Sequence, residues 1–136
     1  MFKSNIYTIQ TGLTGKNMPV DYAGRVRIAH GFYTPTGKEA PGSVIGLVRL
    51  PKGARVLPIS EIYFAAGQDP ALTVKVGDAG NPARYFAGAA AGAKAMNANA
   101  MGNYLTPGEE VVTLTTGGAV MAAGKDIVFD IYYVVD

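Results

Sequence analysis

The sequence contains no cysteine, no tryptophan and only one histidine, His30. Without cysteine the chain can form no disulfide, thiolate metal site or thiol nucleophile, and its redox compartment stays open because a cysteine-free protein suits either environment. A single histidine excludes a His-rich metal site within the chain and any catalytic relay that uses two imidazoles. We therefore interpret His30 as an ordinary residue on a strand face.

Charged residues and long apolar runs are also scarce. Charged side chains make up 16% of the sequence and the formal net charge is +2, whereas phosphate binding needs lysine and arginine concentrated on one surface. We therefore expect no nucleic-acid partner. No stretch approaches the roughly eighteen consecutive apolar residues of a membrane span, and the opening residues MFKSNIYTIQTG lack the apolar centre of a signal peptide. We expect no membrane partner and synthesis in the cytoplasm.

The sequence does have a high content of apolar residues, and its turn residues are spread along the chain. Hydrophobic residues make up 49% of the 136 positions, and 18 glycines and 8 prolines are distributed along the chain. A chain of this length fits one domain and can bury enough surface to fold without a metal. Frequent turn residues favour short strands over long helices. These features predict an all-β, single-domain antiparallel β-sandwich or jelly-roll-like fold of about seven or eight strands.

The last segment, DIVFDIYYVVD, carries the clearest strand pattern, because its apolar residues alternate. One face carries Ile127, Phe129, Ile131, Tyr133 and Val135. The other face mixes aspartates with Val128, Tyr132 and Val134. Since this second face is also partly apolar, we expect it to be covered in part by another subunit or by a loop.

Upstream segments alternate in the same way. In GRVRIAHGFY, Val26, Ile28, His30 and Phe32 share one face, opposite Arg25, Arg27 and Tyr33. The segment SVIGLVRLPKGARVLPISEIYFAA predicts two strands joined by a turn at residues 51–53. Pro58 predicts a sheet edge or a bulge within the second strand, because proline cannot donate a ladder hydrogen bond. LTVKVGD, EEVVTLTTGG and NIYTIQTG predict further strands.

Two segments depart from the strand pattern. Residues 1–22 mix glycine, asparagine, threonine and proline with scattered apolar residues, which predicts an extended N-terminal arm ahead of a β-sandwich domain at residues 23–136. Alanine and glycine dominate residues 83–102. We expect a short strand at residues 84–87 and then a long Ala/Gly-rich loop. A helical turn near residues 89–95 is the alternative, disfavoured because each glycine costs about 1 kcal/mol in a helix interior.

Candidate catalytic or metal-binding groups are few. The stretch VGDAGNPARYF contains glycines but follows no phosphate-loop pattern. Asp69, Asp78 and Asn81 could supply oxygen ligands for calcium, yet their spacing matches no calcium loop and these residue types are ordinary in turns. We therefore expect a protein that is not an enzyme, with no catalytic residues, no cofactor and no bound metal.

Several of these stretches together resemble a group of small β-sandwich virion proteins of tailed bacteriophages. The resemblance covers roughly residues 44–136 and is carried by RLPKGARVLPISEIYF, LTVKVGD, ARYFAGA, YLTPGEEVVTLTTGGA and IYYVVD. It implies a decoration or cement protein that binds the major capsid protein on the surface of the phage head and stabilises the capsid by bridging neighbouring subunits. It also implies synthesis in the host bacterium and a virion location, with a homo-oligomer, a trimer being favoured, as a further partner.

The candidate partner-contact residues lie in three places. They are Ile6, Tyr7 and Ile9 of the arm, Arg25 and Arg27 on one face of the first sandwich strand, and Phe86 and Met96 around the Ala/Gly-rich loop. The apolar residues of this set could equally cover the domain's own core, and the arginines could line a solvated strand face.

Two other classes of function are open to a β-sandwich of this composition. A tail or fibre-associated module that binds a cell-surface glycan would use aromatic side chains such as Tyr63, Tyr85 and Tyr104, although the absence of tryptophan disfavours it. A metal-dependent enzyme on a cupin-like jelly roll would need several histidines, which one histidine largely excludes.

Overall fold

The computed structural model describes residues 25–95 and 104–135, with the backbone alone at residues 93–95. Within these ranges the chain forms strands and no helix. The strands are β1 (Arg27–Tyr33), β2 (Val44–Leu50), β3 (Ala54–Val56), β4 (Glu61–Phe64), β5 (Thr73–Gly77), β6 (Phe86–Ala89), β7 (Ala93–Ala95), β8 (Glu110–Gly117) and β9 (Ile127–Val135). A search of the described residues for a helix long and apolar enough to cross a membrane finds none.

The strands form two antiparallel sheets. Sheet A has the order β1-β9-β4-β7, with β3 also paired to β9, and sheet B has the order β2-β8-β5-β6. The predicted all-β antiparallel sandwich is confirmed. The two shortest strands, β3 and β7, have three residues each, and they bring the number of described strands slightly above the predicted seven or eight.

One hydrophobic core lies between the sheets. Sheet A contributes Ile62 and Phe64 of β4 and the inward-facing residues of β9, and sheet B contributes residues of β5 and β8, all in one cluster. The predicted inward face of β9 is confirmed, since Ile127, Phe129 and Ile131 are buried. Burying a side chain of this size is worth about 1.5–3 kcal/mol, so the core accounts for the pairing of strands that are distant in sequence.

Strand β9 is the centre of sheet A. It pairs with β1 along one edge and with both β4 and β3 along the other. Between β3 and β4 the ladder is interrupted around Pro58, and the buried Ser60 takes over, because its Oγ accepts a hydrogen bond from the Tyr132 N–H at 2.8 Å and donates to the Tyr132 carbonyl at 3.2 Å. The irregularity predicted at Pro58 is therefore a break that divides one long strand into two.

Strand β1 turns its larger apolar residues away from the core. Ala29 and Tyr33 pack against the core, and Ile28 and Phe32 are exposed. Gly31 leaves room for the ring of Phe129, since a Cβ at position 31 would lie 2.6 Å from Phe129 Cζ. The alternation predicted for this segment is present. Its apolar residues face solvent, because side chains of β9, such as the Phe129 ring beneath Gly31, fill the space on the core side.

The Ala/Gly-rich segment is partly β-structured. Strand β6 begins at Phe86, two residues later than the predicted short strand, and β7 pairs with β4 at residues 93–95. The described part of the predicted loop therefore adds an edge strand to sheet A, where a helical turn was the alternative. Residues 96–103 lie outside the described ranges.

Candidate functional site

The outward side of sheet A carries apolar and aromatic side chains from three strands. They are Ile28 and Phe32 of β1, Tyr63 of β4, and Val128, Tyr132 and Val134 of β9, and three polar residues, His30, Glu61 and Asp130, lie among them. We refer to this set as the apolar face. It lies opposite the core side of the same strands, because successive residues of a strand point to opposite faces.

The antiparallel register arranges the apolar face in rows across the sheet. The rows are Phe32 with Val128 and Tyr63, then His30 with Asp130 and Glu61, then Ile28 with Tyr132. Adjacent strands lie about 4.8 Å apart, and rows two residues apart are separated by about 7 Å. A polar row therefore runs between two apolar rows.

The apolar side chains of this face are exposed to solvent. Phe32 is 69% exposed, Ile28 53% and Tyr63 52%, and the neighbouring Val26 is 54% exposed. Single exposed hydrophobic residues are normal on a protein surface, but adjacent ones on one face mark an interaction site. The side chains of β9 between them are only half-buried, so the described part of the chain leaves the face open.

The polar row contains one imidazole and two carboxylates. His30 Nδ1 contacts Asp130 Oδ1. Glu61 lies in register with Asp130 on the next strand, and none of the ion pairs among the described residues includes Glu61. One carboxylate in the middle of the apolar face is therefore without a cationic partner in this part of the chain.

The outer side of sheet B differs in chemistry. Thr73 and Lys75 of β5 and Thr113 and Thr115 of β8 occupy its centre, and Val44, 64% exposed, stands at its β2 edge. Threonine and lysine are normal on a solvated strand face. Val111, 40% exposed, is a second valine on this side. The outer side of sheet B thus exposes two valines, whereas the face of sheet A exposes Ile28, Phe32 and Tyr63.

The connection between β5 and β6 is organised by Asp78. This buried carboxylate accepts hydrogen bonds from the N–H groups of Gly80 and Asn81 at 2.9 and 2.8 Å and from Arg84 Nε at 2.5 Å. Burial acts to raise the pKa of Asp78, but these donors outweigh it and hold the pKa below its usual value. The carboxylate is fully engaged within its own turn.

Further contacts join this turn to the segment before β8. Arg84 lies over the ring of Tyr104, 3.6 Å from its centroid, and the Tyr104 hydroxyl donates to Glu110 at 2.7 Å. Burial, together with that hydrogen bond, raises the pKa of Tyr104 to about 12. A Cβ on Gly77 would lie 2.1 Å from the Asn81 carbonyl oxygen, so this turn closes tightly on itself and leaves no cradle for a phosphate.

The residues that could have held calcium act as turn caps. Asp69 Oδ1 accepts the Ala71 N–H at 2.8 Å, and Asn81 Oδ1 accepts the Ala83 N–H at 3.1 Å. Among the described residues, no group of three or more His, Asp or Glu side chains converges as a metal site would require. The structure thus assigns these polar groups to local backbone hydrogen bonds.

A cleft of about 280 Å³ lies between the loops at residues 65–70 and 90–92. Its walls are mainly alanine, glycine and proline, and its one carboxylate is Asp69, which already caps Ala71. Covalent catalysis needs a nucleophile held by a base, and beside Asp69 the lining of this cleft supplies no second group of that kind.

Of the predicted partner-contact residues, the structure describes Arg25, Arg27 and Phe86. Arg25 and Arg27 are exposed at the start of β1, and in the alternation of β1 Arg27 shares the side of Ala29, opposite the apolar face. Phe86 is half-buried and packs against the core, as the alternative for the apolar residues anticipated. Ile6, Tyr7, Ile9 and Met96 lie outside the described residues.

The three tyrosines considered for a glycan groove also lie apart. Tyr85 is 2% exposed in the core, Tyr63 is on the apolar face, and Tyr104 is beneath Arg84 near sheet B. A sugar ring stacks only on accessible aromatic faces, so these side chains form no shared groove.

Ile28 and Phe32 were not identified as contact residues from the sequence, and Tyr63 was named only for a glycan groove. The available clue was the apolar character of both sides of β9, which predicted that its second face would be covered. The alternation of β1 put Ile28 and Phe32 on one face, but periodicity does not say which face of a strand is the inner one.

No family model matches the chain, and no curated protein matches it. The fold is similar to that of chains in three solved structures. One is the capsid of Ralstonia phage GP4, with a TM-score of 0.67, 21% identity, and coverage of 83% of this chain and 86% of that chain. For the acidic stable capsid structure of Helicobacter pylori bacteriophage KHP30 the TM-score is 0.62 at 15% identity, with coverage of 81% of this chain and 87% of that chain. For the cyanophage Pam1 capsid asymmetric unit the TM-score is 0.56 at 21% identity, with coverage of 83% of this chain and 86% of that chain. At these identities the likeness establishes a shared fold.

Proposed function

We propose that the chain is a non-enzymatic structural protein of a bacteriophage virion, which decorates the capsid and stabilises it by bridging neighbouring capsid subunits. The partner is the major capsid protein of the head, and the location is the capsid surface. The likeness of fold to chains in three phage capsid structures supports the virion role. Each comparison covers more than four fifths of both chains, so the whole sandwich is compared and not one motif.

The apolar face is the observation that carries the bridging role. A protein that acts alone in solution seldom leaves large apolar side chains side by side on one face of a sheet. A bridging protein needs such a surface, because the apolar area stays accessible on the free chain and is buried at the joint between subunits. Exposed Phe32, Ile28 and Tyr63 fit this requirement.

The rest of the chain is assigned accordingly. Residues 1–22 are proposed as an arm that reaches a neighbouring subunit, and residues 23–136 as the sandwich domain. Arg25 and Arg27, exposed where the arm would join the sandwich, are proposed contacts with acidic groups of the partner. Such contacts at the rim of an interface affect association rate and specificity more than affinity.

The proposal is tested with head shells of the phage whose genome encodes the chain, prepared without it. Purified chain is added, and the shells are sedimented and melted. We expect saturable co-sedimentation and a rise in shell melting temperature, because a ligand that binds only the assembled shell stabilises it by about 2.7 kcal/mol at a concentration of 100 Kd.

Serum albumin serves as the control for trapping in the pellet. If the chain stays in the supernatant and the shell melts at an unchanged temperature, the decoration role is wrong. Binding of the isolated chain to a glycan array, with no shell binding, would support the tail or fibre alternative.

A further inference from the structure

We propose that the apolar face is the surface that docks on the head shell, and that its occupant is a patch of capsid protein in which a lysine or arginine stands between apolar side chains. This inference rests on the proposed function and names the surface and the chemistry of the partner. Three features support it. The first is the order of apolar and polar rows on the face, the second is the negative charge of Glu61 in the polar row, and the third is the excess of carboxylates that would be buried if a second copy packed on the face.

The rows define the shape of a complementary surface. Phe32 and Tyr63 lie on one side of the polar row and Ile28 on the other, with about 7 Å between successive rows. A partner therefore needs apolar groups at both sides and a polar group between them. Aromatic and large aliphatic anchors of this kind provide most of the affinity of an interface.

The middle row sets the charge of that polar group. Asp130 is paired with His30, whereas Glu61 has no ion-pair partner among the described residues. Burying an unpaired carboxylate is costly, so a purely apolar partner would be rejected at this point. A lysine or arginine of the partner would pair with Glu61 and hold the two surfaces in register.

A second copy of the chain fits the face poorly. Two apolar faces packed together would enclose four carboxylates, from Glu61 and Asp130 of each copy, and only two imidazoles. Even with both His30 side chains protonated, two negative charges would be buried without compensation. Arg55 of β3 lies on the same side of sheet A, beside Val134 and about 13 Å along β9 from Asp130. It does not correct this, because it already has a contact within its own chain.

Shell binding by matched variants tests the inference. The face variants are Phe32→Ser and Glu61→Gln. Val44→Ser, at a side chain exposed to nearly the same extent on sheet B, is the control for the first, and Glu109→Gln, in an exposed ion pair with Arg49, is the control for the second. Affinity for shells that lack the chain is measured by co-sedimentation at low and at high salt.

We expect Phe32→Ser to weaken binding at least about tenfold. Glu61→Gln is expected to weaken it about fivefold at low salt and to reduce its salt dependence, because a screened ion pair is lost. Both controls are expected to bind within about twofold of the original chain. Since the substituted side chains are exposed, thermal unfolding of all four variants should stay close to that of the original chain.

Other outcomes separate the possible errors. If the original chain binds shells and the face variants bind as well as their controls, the face is not the docking surface although the proposed function stands. If the original chain does not bind shells, the proposed function fails and this inference with it. If Phe32→Ser weakens binding but Glu61→Gln strengthens it, the partner is not basic.

Two other occupants have distinct signatures. A drop in solution mass on Phe32→Ser, measured by light scattering, would mean that a second copy covers the face. A fall in unfolding temperature on Phe32→Ser, with shell binding unchanged, would mean that the chain's own residues 1–22 cover it. Either result overturns the inference.

Discussion

Glu39 shows how one residue can fix a connection between the two sheets. It lies between β1 and β2, is only 8% exposed, and accepts hydrogen bonds from the Tyr33 hydroxyl and from the N–H groups of Thr36 and Gly37. The hydrogen bond from Tyr33, followed by that from Thr36, lowers the pKa of Glu39 to about 2. The same hydrogen bond raises the pKa of Tyr33.

The depressed pKa of Glu39 predicts a pH dependence of stability. Its folded-state value lies below the ordinary 4.5 of a glutamate, so the carboxylate's contribution is complete above pH 4.5 and is lost as the pH falls towards 2. We expect Glu39→Gln to lower the free energy of unfolding by about 1–3 kcal/mol at neutral pH, because donors are left unsatisfied, and to flatten the acid limb. Urea unfolding across this pH range measures both effects.

Glu109→Gln is the matched control for Glu39, since Glu109 is exposed in its pair with Arg49. It should change the free energy of unfolding by no more than about 0.5 kcal/mol. If the free energy of unfolding fell equally steeply between pH 4.5 and 2 in Glu39→Gln and in the original chain, Glu39 would not be the cause of that fall.

At the scale of single residues, the sequence predicts the structural role of a side chain, such as capping a turn, better than it predicts the distant residues that the side chain contacts. Asp78 was correctly interpreted as a turn residue, because aspartate caps the backbone two and three residues ahead. Its contact with Arg84, and that of Arg84 with Tyr104, depend on segments brought together only by the fold. The same holds for Glu39, whose nearest donor is the hydroxyl of a residue on β1.

Among the elements, the break between β3 and β4 is the most informative. The Tyr132 carbonyl accepts the Leu57 N–H at 2.8 Å, and the Tyr132 N–H is satisfied by Ser60 Oγ. A side chain therefore completes the ladder where Pro58 interrupts it. This allows β3 and β4 to flank the same edge of β9 although they are not continuous.

The break predicts a specific cost for losing one hydroxyl. We expect Ser60→Ala to lower the free energy of unfolding by about 1–3 kcal/mol, because the Tyr132 N–H would lose the acceptor that the buried Ser60 provides. Urea unfolding at neutral pH measures it. Ser43→Ala is the control, since Ser43 Oγ donates to the Ala40 carbonyl at an exposed turn. Equal effects of the two substitutions would contradict the role assigned to Ser60.

The elements show where sequence patterns are sufficient. Strands β5, β8 and β9 lie within one or two residues of their predicted positions, because alternation and terminal glycines delimit them. The alternation in β1 could not predict which of its faces points to the core. That is decided by the Phe129 ring, which packs against Gly31 and leaves no space there for a larger side chain. β7 was missed because three residues of alanine and lysine carry no period; only pairing with β4 makes them a strand.

At the scale of the whole molecule, the two outer faces differ while the core is shared. The sequence was sufficient for the all-β class and the sandwich architecture. It was insufficient for the apolar face, which draws side chains from three strands separated by most of the chain. The surface forms only when the register between β1, β9 and β4 brings these side chains together, so no local sequence motif could predict it.

The proposed trimer is a prediction about the free protein. A decoration protein must match the local symmetry of its lattice site, and a trimer would match a three-fold position. Within the described residues, β6 is the edge of sheet B away from Val44, and its unpaired backbone groups can join copies while the apolar face stays open. Light scattering behind a sizing column should give three times the mass of one chain.

The mass of Phe32→Ser is the matched measurement, and it should equal that of the original chain if the copies join through sheet B. A monomer at all concentrations would rule out a preformed trimer. The chain would then meet its copies only on the shell.

The central position of β9 has a consequence for how the protein is made. β1 is the first described strand and β9 the last, and His30 and Asp130, which meet across them, are 100 residues apart in the chain. During translation the four strands of sheet B emerge before β9, whereas sheet A lacks its middle until β9 leaves the ribosome. Pairing over such distances is slow, on the order of milliseconds to seconds. Sheet A is therefore completed only once β9 has been made, and a chain that lacked β9 would also lack the rows of the proposed docking face.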